Sequence, residues 1–163
     1  MSTDPRPAVA LLRRIEIWVL TILGVAMTLI MFTNATMRYL FSTSLVWSEE
    51  VIRILFVWAM FIAITESFIR NEHIGFDNIA KMGGWPTHLH RLVYALSLTV
   101  VGGVLAWHGW RFTILTGDVP LAATNMSTTL LMWPGVIAGA IWTVIGAIRL
   151  VRIAADLTTG RAA

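Results

Sequence analysis

Between Ile17 and Met37 the chain runs 21 residues without a charged side chain. As an α-helix rising 1.5 Å per residue, this run reaches about 30 Å, the thickness of a bilayer's hydrocarbon layer. Arg13 and Arg14 precede it, as in a secretory leader. The run is longer than a leader's apolar core, and no small-residue cleavage motif follows it, so it is expected to stay in place as a membrane anchor.

Three further runs extend the pattern. Ile54 to Thr65 is uncharged but only 12 residues long, between Arg53 and Glu66. It spans a bilayer only if both charges lie near the membrane faces, as Val51 to Ile69 at about 28 Å permits. Its eight strongly apolar residues contribute roughly −3 kcal/mol on an insertion scale, against about +3 for one central charge. Leu92 to Trp110 and Leu130 to Ile148 are each 19 residues long. The segment TGDVPLAATNMSTT between them is polar and carries Gly and Pro, so it reads as a loop. Composition closes the alternative of a soluble domain. The chain is 57% hydrophobic and 13% charged, against about 25% charged in ordinary soluble domains. The expectation is one all-α membrane domain over residues 1–163, with four spans at about 15–37, 51–70, 92–110 and 130–149.

Nine of the 12 Lys and Arg residues lie before the first span, between the second and third, or after the fourth. The other three, Arg38, Arg53 and Arg111, fall on the opposite side. This asymmetry places both termini in the cytoplasm. Six tryptophans fall near the implied membrane faces, where amphipathic rings prefer to lie. Trp58 and Trp142 fall mid-span and are expected to pack between helices. The basic residues edge apolar runs instead of clustering on one polar face, which argues against a nucleic-acid partner. Without cysteine there are no disulfides, thiolate metal sites or cysteine nucleophiles.

The most unusual segment is RYLFSTSLVWSEEVIR, from Arg38 to Arg53. Ser48 is suited to cap a helix start, which puts Glu49 and Glu50 in the first turn, where the helix dipole favours acids. Arg53 then lies three and four residues on, within reach of both carboxylates. The first expectation is a helix entry pinned at the outer face; contact with a partner protein is the second. An ion or substrate site comes last, because carboxylates already matched to an arginine are poor free ligands. Arg38 and Tyr39 read as an interface anchor, with an ion pair to Glu49 or Glu50 as the alternative. Glu66 and Arg70 form a ladder at the inner face, joined by His73 if the helix continues. HIGFDNIAKM, from His73 to Met82, has a loose helical period that suits a short interfacial helix. His73 and Asp77 would be only two ligands of a metal, too few to imply one.

Gly135 and Gly139 form a GxxxG pattern in the last span, and Gly102 and Gly103 lie mid-span in the third. Small residues let helices approach closely in lipid. Asn34, Thr33 and Thr36 each offer an interhelical hydrogen bond. No phosphate loop, nucleophile–base pair, haem-ligand pair or midplane acid pair occurs. No enzymatic activity, cofactor or metal is therefore expected.

Asn34-x-x-x-Arg38-Tyr39, then Trp47-Ser48-Glu49-Glu50-x-x-Arg53, an apolar span, and Arg70-Asn71-Glu72-His73-Ile74-Gly75-Phe76-Asp77 together resemble the DctQ-like family. These are the small membrane subunits of tripartite ATP-independent periplasmic transporters. The resemblance implies a bacterial inner-membrane subunit that transports nothing alone. Its partners would be a large multi-span permease subunit, a periplasmic solute-binding protein and membrane lipid. The complex would take up organic acids on a sodium gradient, and the small subunit would steady the scaffold of the large one. Trp47, Glu49, Glu50, Arg53, His73 and Asp77 are the motif positions, assigned to helix placement and partner contact. The rival from another class is a four-helix exporter acting alone as a dimer. Such exporters carry a glutamate inside the first span, and none occurs between Ile17 and Met37.

Overall fold

A computed structural model describes residues 7–70, 85–117 and 119–158. They form four helices: α1 (Pro7–Phe41), α2 (Val46–Arg70), α3 (Trp85–Thr116) and α4 (Thr129–Thr158). All four are long and apolar enough to cross a membrane. The protein is an all-α, multi-pass membrane protein. The predicted interfacial helix, with His73 and Asp77, lies outside the described residues.

Each helix outruns the uncharged stretch that announces it, because a charged side chain does not interrupt backbone hydrogen bonding. The start of α2 departs from expectation. Ser48 is not the cap. The helix begins two residues earlier, and Ser48 sits buried in its first turn, donating its hydroxyl to the Leu45 carbonyl at 2.6 Å. The Leu45 N–H is bound by the Asn34 side-chain oxygen at 2.8 Å. Asn34 thus ties the end of α1 to the entry of α2. The turn between them reverses at Ser42, which takes a left-handed φ of 55°. Thr36, also expected to bridge helices, bonds back to the Phe32 carbonyl of its own helix instead.

Among the described residues, the helices associate in the order α1–α2–α4–α3, and α1 packs mainly against α2. The tightest seam joins the antiparallel pair α3 and α4. A Cβ added at Gly102 would lie 2.7 Å from the Thr143 nitrogen, and one at Gly139 would lie 2.8 Å from both the Gly102 carbonyl and the Ala106 nitrogen. One at Gly146 would strike Thr99, and one at Gly109 would come within 3.0 Å of Val136. Lipid tails are as apolar as leucine, so helices gain little by hiding leucine from them. Close backbone contact at small residues supplies attraction instead. The buried cluster Leu98, Ala138 and Trp142 lies beside this seam, flanked by Phe61, Phe68 and Leu105.

Candidate functional site

Several polar side chains of the described spans meet at joints between elements, while Thr28, Thr36, Thr99, Thr113 and Thr143 bond back to their own helices. At the end bearing the α1–α2 turn, Glu50 reaches the α3–α4 connection. Its Oε1 accepts the Ala123 N–H at 2.9 Å; its Oε2 accepts the Thr124 N–H at 2.9 Å and the Thr124 hydroxyl at 2.7 Å. The connection is ordered by its own bonds as well. The Leu121 N–H donates to the Met126 carbonyl at 2.8 Å, Pro120 and Ser127 form a bridge, and Asn125 takes a left-handed φ of 54°. Asparagine tolerates that conformation better than most residues. A carboxylate accepting two consecutive N–H groups and a hydroxyl acts as a staple between α2 and a loop more than 70 residues away.

The expected pairing of Arg53 with Glu49 and Glu50 is not made. Among the described residues, Glu50 is committed to the loop, and Glu49 and Arg53 form no ion pair. Both are exposed. The alternative pair of Arg38 with either glutamate is also absent among the described residues. Arg38 and Glu49 instead border one polar recess of about 400 Å³ with Asn34 and Ser44. Tyr39 is 84% exposed and Trp47 is 42% exposed.

Midway along, α2 is bolted to α4 by two indoles. Pro134 lies inside α4 and has no N–H, so it cannot donate to the carbonyl four residues back. That carbonyl, on Leu130, accepts the Trp58 Nε1–H at 3.0 Å. Trp142 donates its Nε1–H to the Thr65 hydroxyl at 3.0 Å and meets Phe68 edge-on with ring centres 4.9 Å apart. Gly135 faces Phe61, whose ring would stand 3.4 Å from an added Cβ. Gly135 and Gly139 therefore serve different seams, one toward α2 and one toward α3.

At the opposite end, Arg149 of α4 donates to the Phe68 carbonyl at 2.6 Å, and its guanidinium carbon lies 5.2 Å from the centre of the Tyr94 ring. Carbonyls in the last turn of a helix lack internal donors and attract cations. Arg149 thereby joins α2, α3 and α4 at one point. Glu66 lies nearby in α2, lining a groove of about 220 Å³ with Glu16, Trp58, Phe61 and Ile141. Arg70 is the last residue of α2, and the ladder expected of its side chain lies outside the described residues.

Sequence reasoning missed the Glu50 staple, the Pro134–Trp58 pairing and the Arg149 joint. The proline was the one available signal, since it always frees a carbonyl. Among the described residues, no group of three or more His, Asp or Glu side chains has the arrangement of a metal site.

Residues 27–156 match the family of DctQ components of tripartite ATP-independent periplasmic transporters. The C4-dicarboxylate TRAP transporter small permease protein DctQ of Vibrio cholerae is 31% identical over 59% of this chain and 46% of its own length. A putative TRAP transporter small permease protein of Haemophilus influenzae is 32% identical over 38% of each chain. The matches thus span less than half the length of either relative. With four membrane-length helices and a family match over most of its residues, the chain belongs to the DctQ-component family of tripartite ATP-independent periplasmic transporters, as a non-catalytic membrane subunit.

Proposed function

We propose that this protein steadies the scaffold of a large permease subunit in a sodium-driven, binding-protein-dependent importer of organic acids in the bacterial inner membrane. Both termini lie in the cytoplasm in this reading, and the Glu50-stapled loop faces the periplasm, where a solute-binding protein docks. The observation that carries the reading is where the polar side chains go. Trp58, Thr65, Trp142 and Arg149 are bonded across helices, and Glu50 is bonded to the loop. They hold a shape; a carrier would need such groups turned toward a solute path at the midplane. Because the Vibrio relative is named for C4-dicarboxylates, a four-carbon dicarboxylate is the first solute to test.

Membranes bearing this chain alone should show no sodium-dependent dicarboxylate uptake, and adding the large permease and binding protein should restore it. Uptake by the isolated chain would refute the scaffold role. The natural chain has no cysteine, so single cysteines report orientation cleanly. Thr124→Cys should react with an impermeant maleimide in intact spheroplasts, and Ala155→Cys only after lysis.

A further inference from the structure

The turn between α1 and α2 gathers charged groups that the fold itself does not use. Arg38 and Glu49 border its polar recess of about 400 Å³, and Asn34, Ser42 and Ser44 line the rest. A turn that joins two consecutive membrane spans emerges at one face of the bilayer, at the level of the lipid headgroups. Arg38 and Glu49 are exposed, and among the described residues neither pairs with the other or with any other charged group. The Asn34 side-chain oxygen is taken by the Leu45 N–H, which leaves its amide nitrogen as a donor. One recess thus offers a cation, an anion, an amide and two hydroxyls. Around it stand Tyr39, Phe41, Val46 and Trp47, all exposed. The site is polar within and apolar at its rim.

We propose that this recess binds the headgroup of a phosphatidylethanolamine, with the lipid's phosphate at Arg38 and its ammonium at Glu49. Charge complementarity selects the occupant. Opposite charges that share a recess without pairing fit a ligand that carries both. A guanidinium binds a phosphate through two parallel bonds, and a primary ammonium gives its N–H groups to a carboxylate. Phosphatidylglycerol brings only the negative charge and leaves Glu49 unmatched. Phosphatidylcholine has a quaternary nitrogen with no N–H to donate. The rim selects a lipid over a soluble zwitterion, because acyl chains cover exposed apolar side chains, and tyrosine and tryptophan rings prefer the headgroup level. A second recess, on α3, sets the contrast. It is lined by His108, Gly109, Arg111, Phe112 and Leu115, with no carboxylate among them, and so has nothing to choose ethanolamine. The inference needs only that the chain spans a membrane and stands apart from the scaffold reading.

The test uses the full chain, delipidated in detergent and titrated with phosphatidylethanolamine, phosphatidylglycerol or phosphatidylcholine of identical acyl chains. Native mass spectrometry reads the bound lipid, and circular dichroism controls for folding. The natural chain should retain phosphatidylethanolamine about threefold or more over either competitor. E49Q should erase that preference, R38Q should weaken all three lipids, and R38K should restore them. R111Q, at the acid-free recess, should leave the preference unchanged. Glycerophosphoethanolamine, the same headgroup without chains, should bind far more weakly than the lipid. Equal retention of the three lipids by the natural chain, a comparison that needs no variant, would overturn the proposal. So would a preference that survives in E49Q, or one that R111Q removes as well as E49Q does. Binding of the chain-free headgroup as tight as that of the lipid would overturn the assignment to a lipid.

Discussion

Glu49 and Glu50 are adjacent acids with unlike environments. Glu50 accepts three hydrogen bonds from Ala123 and Thr124, and Glu49 is exposed beside a polar recess. Glu50→Ala should therefore speed proteolytic cleavage between residues 119 and 128 several-fold in reconstituted protein, with helical content unchanged by circular dichroism. Glu49→Ala should leave the cleavage rate unaltered. Equal acceleration by both would mean that loss of charge matters and the staple does not. The sequence shows the two glutamates at a helix entry but not which one is engaged, because the acceptor's partners lie 73 and 74 positions away. Local rules of capping and i, i+4 pairing favoured Arg53 as the partner. A pair of that kind stabilises by only about 0.3–0.5 kcal/mol, too little to hold a carboxylate from better donors.

Two of the joints among α2, α3 and α4 lend themselves to direct tests. The first comes from a defect in one helix: Pro134 leaves the Leu130 carbonyl without its ladder donor, and Trp58 supplies one. Trp58→Phe should destabilise the natural protein by about 0.5–1.5 kcal/mol. In a Pro134→Ala background, where the ladder bond can re-form, the same change should cost less. A double-mutant cycle by steric trapping or thermal melting in detergent measures the difference, and a coupling of zero would remove the pairing. The second joint is backbone contact. Gly139→Ala would place its methyl 2.8 Å from two backbone atoms, whereas at Gly103 the nearest atom is a side-chain oxygen at 3.8 Å. Gly139→Ala should cost about 1–3 kcal/mol by overpacking. Gly103→Ala should be neutral or stabilising, since alanine favours a helix over glycine by roughly 0.5–1 kcal/mol. The same melts decide it. GxxxG singled out Gly135 and Gly139 as one surface, but they face different neighbours. The α3–α4 seam instead follows a spacing of seven, through Gly102 and Gly109 on one helix and Gly139 and Gly146 on the other. That spacing was present in the sequence, and it gains meaning only once the two helices are known to be partners.

Across the whole protein, stability is uneven. Among the described residues, α1 packs mainly against α2, through a helix face and the Asn34–Leu45 bond, while α2, α4 and α3 share aromatic, polar and glycine contacts. α1 should therefore separate first. Asn34→Ala should raise hydrogen exchange in α1 and in the turn at residues 42–45, while the amides of α3 and α4 keep their protection. Uniform loss across all four helices would show a single cooperative unit. The chain's hydropathy already contained the number of spans, because a bilayer imposes one length and one polarity on any helix that crosses it. The spacing of charge and tryptophan added the expected membrane faces for the same reason. Helix order, the partner of Glu50, the donor for the Leu130 carbonyl and the cation over Tyr94 emerged only from the folded arrangement. Each joins residues far apart in the chain, and in lipid, where apolar burial hardly distinguishes one neighbour from another, such pairings depend on shape and on single hydrogen bonds that no local pattern records.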